Sequence, residues 1–189
     1  HAVNYGAIGA VIAHEITHGY DDKGRKFDGN GNLNNWWSTE DADLFTKKTQ
    51  LIIDSVSKYE YLNPVSGKIH HMNPKLTMGE NLADIGGLSL SMQALLQYLK
   101  SLNIEIFQPQ NNIKDIVAPC LRVFFKSWAN IWKQNIKSEK RVMLLSVDPH
   151  GPTDFRGNLV KHMDQFYDVF NIVKGDNMYL EPNQRMKMW

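Results

Sequence analysis

Two histidines and a glutamate within five residues are the part of this sequence best suited to chemistry. They form the run His14-Glu15-Ile16-Thr17-His18. If the segment is helical, the two imidazoles stand one turn apart on the same face, where both can bind one zinc ion. Glu15 points about 100° away from His14 around the helix. We therefore expect Glu15 to act as the general base on a zinc-activated water rather than as a ligand.

The residues before this motif favour zinc over a chance match. Only three of the five positions are fixed, so the pattern also occurs in unrelated proteins. Here Val11, Ile12 and Ala13 lead into the motif in an apolar segment. Two imidazoles and a carboxylate are costly to bury in such a helix unless a metal or polar partners compensate them.

A catalytic zinc site needs three protein ligands and an open position for water, and Glu80 is the candidate for the third ligand. It lies in the run Gly79-Glu80-Asn81-Leu82-Ala83-Asp84. Asp84, four residues later, shares a helix face with Glu80 and could orient a ligand histidine through its second nitrogen. The alternative is structural, because Thr77 and Glu80 have the spacing of a capping box at a helix start. Spacing alone leaves both interpretations open.

Apolar periodicity and capping signals predict a mainly helical chain that positions these residues. The sequence lacks the alternation typical of a large sheet, and residues 63–75 are expected to form a polar loop. The predicted helices cover residues 5–18, 38–59, 77–100, 113–136, 139–146 and 158–170.

Composition and charge set limits on the class of protein. We expect one domain over residues 1–189, and the 21 basic and 20 acidic side chains give a net charge of +1 without clustering, so no nucleic-acid partner is expected. The longest apolar runs are too short and too interrupted to cross a bilayer, so no membrane contact is expected from this segment.

The single cysteine, Cys120, favours a reducing compartment. A start at His1, thirteen residues before the motif, predicts a fragment whose missing N-terminal part would be a partner.

The motifs together resemble those of the neprilysin family of zinc metallopeptidases, which includes endothelin-converting enzyme and bacterial oligopeptidase O. The likeness extends over essentially the whole chain. The runs that carry it, besides the two motifs above, are Gly19-Tyr20-Asp21-Asp22, Asn4-Tyr5-Gly6-Ala7-Ile8-Gly9, Asn35-Trp36-Trp37, Asp148-Pro149-His150-Gly151-Pro152 and the terminal Trp189.

This resemblance implies a gluzincin, that is, a thermolysin-like C-terminal catalytic subdomain in which the active-site helix packs against the helix carrying the third ligand. It implies that Glu80 is that ligand, with one Zn²⁺ per chain, and that Asp21 and Asp84 hold the ligand histidines from behind. It also implies that His150 donates to the oxyanion formed at the scissile carbonyl and that Arg156 binds a backbone carbonyl of the substrate. The implied substrates are peptides with a hydrophobic residue just after the scissile bond.

Two departures from the family pattern bear on location and completeness. Met186 and Leu51 stand where extracellular members have a pair of cysteines, which favours a cytoplasmic bacterial member similar to oligopeptidase O. An extracellular or membrane-anchored protein is not excluded. The upstream segment that pairs with the substrate backbone and the large helical domain that encloses the cleft are not in this sequence.

The predicted function is hydrolysis of internal peptide bonds, with Glu15, His150 and Asp84 as the catalytic residues. The competing hypothesis is a non-catalytic, zinc-stabilised domain that binds peptides or serves as a scaffold. The presence of Glu15 argues against it, since a structural zinc site needs ligands but no base. An aminopeptidase of the same wider clan would need an acidic site for the substrate's amino group, and the sequence offers no motif for one.

Overall fold

The computed structural model describes residues 1–102 and 113–188, so Trp189 lies outside the described residues. Most of the described chain is helical, as the periodicity predicts. The α-helices are α1 (Ala2–Asn4), α2 (Ala10–Thr17), α3 (Thr39–Ser57), α4 (Pro74–Ser101), α5 (Ile113–Ile131), α6 (Ser138–Val147), α7 (Thr153–Asn158) and α8 (Asp164–Phe170). A π-helical turn covers Tyr5–Gly9, and 3₁₀ turns cover His18–Tyr20, Gly24–Lys26, Leu159–His162 and Pro182–Gln184.

A small hairpin forms at residues 60–71, and its connection and second strand lie in the predicted polar loop. Strand β1 (Glu60–Leu62) pairs antiparallel with β2 (Ile69–His71). Gly67 adopts a φ of 68° in the connection, a conformation that glycine takes without steric cost. The prediction of a mainly helical fold is confirmed. The sheet of the described residues has two strands of three residues each, and the other elements are helices.

Helix α4 runs through the centre of the fold. Every residue from 81 to 88 is buried, which is typical of a helix packed against neighbours on all sides. The helix begins earlier than predicted, because the side-chain oxygen of Asn73 caps it by accepting from the backbone N–H groups of Lys75 and Leu76. The hydroxyl of Thr77 donates to the Asn73 carbonyl, so the predicted helix start at Thr77 is wrong and the capping-box alternative for Glu80 is excluded.

Helix α2 packs directly against α4. Its buried face carries small residues, including Ala10 and Ala13, together with His14. A Cβ atom on Gly87 of α4 would lie 2.6 Å from the carbonyl oxygen of Ala10 and 2.8 Å from the backbone nitrogen of His14. The absence of a side chain at Gly87 therefore lets the two backbones come into contact.

The π-helical turn before α2 is held by two other helices. The hydroxyl of Ser91, on α4, donates to the carbonyl oxygen of Tyr5 at 2.6 Å. On the side of α5, a Cβ on Gly6 would lie 2.1 Å from the carbonyl oxygen of Phe124. Turns of this kind are often found near functional sites, where they adjust the direction of a helix.

The C-terminal part of the chain breaks the helix that was predicted over residues 158–170. Extended backbone at Met163, with φ −96° and ψ 121°, separates α8 from the 3₁₀ turn that follows α7. The aromatic rings of Phe125, Phe166 and Phe170 pack together between α5 and α8. Within residues 1–102 and 113–188, no helix is long and apolar enough to cross a membrane.

Candidate metal centre

Helices α2 and α4 bring three of the predicted ligands together. Nε2 of His14 lies 3.2 Å from Oε2 of Glu80, and Nε2 of His18 lies 3.5 Å from the same oxygen. The ligand atoms of the three residues all lie within 4.8 Å of one another. Residues 66 positions apart in the chain, His14 and Glu80, thus face one common point.

The Glu80 carboxylate shows that this point suits a cation. Its Oε2 atom is buried and has no hydrogen-bond partner among the described residues, although the Nε2 atoms of His14, His18 and His150 all lie within 3.5 Å of it. A buried carboxylate oxygen without a partner is costly. A zinc ion shared with the two imidazoles of α2 would satisfy it, and two histidines with one glutamate form a ligand set found in catalytic zinc sites.

Electrostatics in the site also favour positive charge. Burial alone would lower the pKa of His14, but the close carboxylates of Asp84 and Glu80 outweigh burial and raise that pKa to about 9. The close approach of His14, with the nearby His150 and His18, lowers the pKa of Glu80 to about 2 against the opposing effect of burial. The site therefore favours positive charge beside an ionised Glu80 carboxylate, and a zinc ion bound there would displace the proton from His14.

Each candidate ligand histidine has an aspartate next to its Nδ1 atom. Nδ1 of His14 lies 2.8 Å from Oδ1 of Asp84, and Nδ1 of His18 lies 2.7 Å from Oδ2 of Asp21. A carboxylate at Nδ1 fixes the proton there and leaves the Nε2 lone pair free to face a metal. Asp21 is itself fixed, because its Oδ1 accepts from the backbone N–H groups of Lys23 and Gly24 at 2.8 and 2.7 Å.

Arg156 is more deeply buried than its predicted contact with substrate suggests. Its Nε and Nη2 atoms donate to the two oxygens of Asp84, both at 2.7 Å. The guanidinium carbon lies 3.8 Å from the centre of the Trp132 ring, and only 9% of the residue is exposed. No local pattern in the sequence indicates that Arg156 and Asp84 form a pair, since 72 positions separate them.

His150 lies at the mouth of the site, on the loop between α6 and α7. Its Nε2 is 3.3 Å from Oε2 of Glu80, and its Nδ1 is 2.8 Å from Oδ1 of Asp148. The side chain is 46% exposed. Asp148 was not predicted as a site residue, although its position two residues before His150 is a signal that could have identified it.

Glu15 and a neighbouring cavity offer further groups around the candidate ligands. Glu15 is exposed on α2, next to the buried His14. A cavity of about 250 Å³ opens beside His150 and Arg156. Its apolar wall includes Ile136, Leu144 and Leu145. Glu15 therefore offers an accessible carboxylate next to one candidate ligand, and His150 connects the candidate ligands to the cavity, since it lies 3.3 Å from Glu80 and also lines the cavity.

The sequence is similar to those of known peptidases over its whole length. The sequence profile of peptidase family M13 matches residues 1–186. A neutral endopeptidase of Lactococcus lactis subsp. cremoris is 36% identical over 187 residues, which are 98% of this chain and 26% of that protein. Neprilysin-1 of Caenorhabditis elegans is 36% identical over 194 residues, which cover 100% of this chain and 24% of that protein.

The fold is similar to those of solved zinc metalloproteases. A crystal structure of a zinc metalloprotease of Mycobacterium tuberculosis with an inhibitor matches 98% of this chain with a TM-score of 0.85 and 35% identity. PEPO of Lactobacillus rhamnosis matches 98% of this chain with a TM-score of 0.78 and 28% identity. The chain spans about a quarter of the length of the relatives that it matches, 26% and 24% for the two above.

Proposed function

Since the chain belongs to peptidase family M13, we propose that it is the catalytic part of a zinc-dependent endopeptidase that hydrolyses internal bonds of oligopeptides. The observation that supports this most strongly is the buried Oε2 of Glu80, which has no hydrogen-bond partner among the imidazoles that surround it. We propose one zinc ion per chain, held by His14, His18 and Glu80. When bound, zinc supplies Lewis acidity, which acidifies a water molecule and polarises the substrate carbonyl.

The side chains around the proposed ligands then transfer the proton, stabilise the oxyanion and orient the ligands and the substrate. The attacking water loses its proton to the carboxylate of Glu15, which passes it to the leaving amine nitrogen. Nε2 of His150 donates to the oxygen of the scissile carbonyl as negative charge develops there. Asp84 keeps His14 in the tautomer that presents Nε2. The proposed contact of Arg156 with a backbone carbonyl of the substrate is supported by its position in the wall of the cavity beside His150.

The cavity beside His150 suggests a preference among peptides. Its volume of about 250 Å³ and its walls of Ile136, Leu144 and Leu145 fit a large apolar side chain. We propose that this side chain belongs to the residue just after the scissile bond. Replacement of one wall residue, Leu145→Ala, should change the preferred side chain without changing zinc content.

The outer face of α2 and of the π-helical turn before it suggests a partner for the domain. Ile8, Ile12 and Ile16 lie at intervals of four residues and are 59%, 55% and 58% exposed. Relatives of this chain are about four times as long. We propose that a further N-terminal part of the same protein covers this apolar stripe and completes the cleft for substrate.

We also propose a reducing, cytoplasmic location. Cys120 is the single cysteine of the sequence, and it is free and half-buried on α5. Met186, which stands where extracellular members of the family have a cysteine, is 1% exposed in the core.

The proposed function is tested by zinc content and by cleavage of a quenched peptide, for the full-length protein and its Glu15→Gln variant. We expect the variant to retain zinc and to lose roughly a thousandfold or more in rate, because the base and acid assistance is removed. Glu40→Gln, an exposed change on α3, should keep the wild-type rate. A non-catalytic zinc-stabilised domain would instead bind zinc and show no cleavage in the wild type. Equal rates for wild type and Glu15→Gln would disprove the mechanism.

A further inference from the structure

His150 depends on its own loop for its position. Nδ1 of His150 contacts Asp148, which lies in the same loop, and its backbone N–H donates to the same aspartate at 2.9 Å. Another close polar neighbour is Oε2 of Glu80, at 3.3 Å, an oxygen that is assigned to the metal in the proposed function. The orientation of the imidazole is therefore only as well defined as the loop that carries it.

Arg141 joins the two helices that flank this loop. Its Nη2 atom, on α6, donates to Oδ1 of Asp154, on α7, at 2.7 Å. The two bonded residues are thirteen positions apart, and His150 lies between them in the chain. Because α6 ends at Val147 and α7 begins at Thr153, this ion pair links the two helices that carry the ends of the loop.

A third element fixes the ion pair to the rest of the fold. Nη2 of Arg141 also donates to the hydroxyl of Tyr59, at 2.5 Å, and that hydroxyl lies 3.1 and 3.2 Å from the two oxygens of Asp154. The guanidinium carbon lies 4.3 Å from the centre of the Tyr61 ring, on β1. The Tyr59 ring in turn packs edge-on against Phe155, at 5.7 Å between centroids. The loop is thus fixed to the hairpin as well as to its own ends.

Tyr59 and Arg141 keep their protons over a wide pH range. Burial raises the pKa of Tyr59 to about 12, so its hydroxyl remains a hydrogen-bond donor. Burial acts to lower the pKa of Arg141, but hydrogen bonds with Tyr59 and Asp154 raise it overall. Neither of these two side chains is therefore expected to lose its proton under assay conditions.

We propose that Arg141 is a positioning residue for peptide hydrolysis: by tying Asp154 and Tyr59 together across the loop, it holds His150 at the distance from Glu80 that donation to the oxyanion requires. This inference rests on the proposed function of His150. Displacement of a catalytic group by about 1 Å can cost about a hundredfold in rate. Loss of Arg141 should therefore lower kcat and leave zinc affinity unchanged, because none of the proposed zinc ligands is carried by the loop.

The test is a double-mutant cycle on the zinc-loaded, full-length protein, with kcat, KM and zinc affinity measured for each variant. Arg141→Leu should lower kcat by about tenfold to a hundredfold, while zinc affinity changes by less than about twofold. A change in KM is also expected, because Arg141 lines the cavity beside His150. Asp154→Asn, which removes the charge of the exposed ion-pair partner, should lower kcat in the same direction. Lys140→Leu, the adjacent exposed residue on α6, is the matched control and should match the wild type.

The decisive step is the same substitution in a His150→Gln background. If Arg141 acts through His150, adding Arg141→Leu to that variant should change kcat by less than about twofold. Two results would overturn the inference about Arg141 and leave the proposed function standing. One is an equal loss of kcat from Arg141→Leu in the wild-type and His150→Gln backgrounds. The other is no loss of kcat from Arg141→Leu although His150→Gln is impaired. Full kcat in His150→Gln itself would overturn the proposed role of His150 and the inference with it.

Discussion

The carboxylate of Asp84 lies 2.8 Å from Nδ1 of His14, and it is completely buried. The same carboxylate accepts two hydrogen bonds from Arg156. Asp84 therefore orients a candidate zinc ligand and also neutralises a buried guanidinium. A change at this residue should affect both the geometry of the site and the stability of the fold.

Replacing Asp84 should weaken both functions. In Asp84→Asn, we expect zinc affinity to fall by about 10- to 100-fold, because the amide cannot hold His14 as the carboxylate does. The free energy of unfolding should also fall, by roughly 3–5 kcal/mol, because Arg156 is left as a buried charge without its partner. Zinc titration and chemical denaturation measure the two effects. Asp43→Asn, at an exposed position on α3, should change neither, and unchanged zinc affinity in Asp84→Asn would contradict the assigned role.

The contact between α2 and α4 should not tolerate a side chain at Gly87. A methyl group there would lie within 3.0 Å of three backbone atoms of Ala10 and His14, and backbone cannot move aside as a flexible side chain can. We expect Gly87→Ala to destabilise the protein by roughly 1–3 kcal/mol or more and to weaken zinc binding. Gly19→Ala is the control, since no heavy atom of the described chain lies within 4 Å of the position that its methyl group would take. Thermal unfolding with and without zinc checks both variants.

His162 should make stability depend on pH. Burial, with a smaller effect from Lys161, lowers the pKa of this ring from 6.5 to about 3. Below pH 6.5 the unfolded chain takes up a proton on His162 and the folded protein does not, so stability falls as the pH is lowered toward 3. One such group contributes about 1.4 kcal/mol per pH unit.

The variant His162→Asn isolates this contribution, because asparagine can still accept the hydrogen bond that His162 Nδ1 receives from the backbone N–H of Met186. Between pH 4.5 and 6.0, we expect the stability of the variant to change by about 2 kcal/mol less than that of the wild type. Urea denaturation at several pH values gives the comparison. The exposed substitution His71→Asn should retain the wild-type slope, and identical slopes in all three proteins would refute the prediction.

Local sequence was sufficient to predict the features that depend on a helical repeat. The spacing of His14 and His18 placed both imidazoles on one side of the helical segment formed by α2 and the 3₁₀ turn that follows it. The four-residue interval between Glu80 and Asp84 placed both carboxylates on one face of α4. Helix starts were predicted less well, because Thr77 and Asn73 both offer a capping side chain and only the folded chain shows which one is used.

The contacts between distant segments could not be predicted from local patterns. Arg156 pairs with Asp84 across 72 positions, and Arg141 with Tyr59 across 82. Each of these pairs depends on how α4, α6 and α7 and the hairpin pack, and no local spacing encodes that packing. The resemblance to a family identified Arg156 as important, but it did not predict the pairing of its guanidinium with Asp84.

The central claim is that a single zinc ion joins α2 to α4, and equilibrium zinc titration of wild type against Glu80→Gln tests it most directly. We predict one zinc per chain in the wild type, and a loss of affinity in Glu80→Gln greater than the roughly 10- to 100-fold that loss of a supporting aspartate causes. Glu60→Gln, at an exposed position on β1, should bind like the wild type. Zinc binding of equal strength in wild type and Glu80→Gln would contradict the claim.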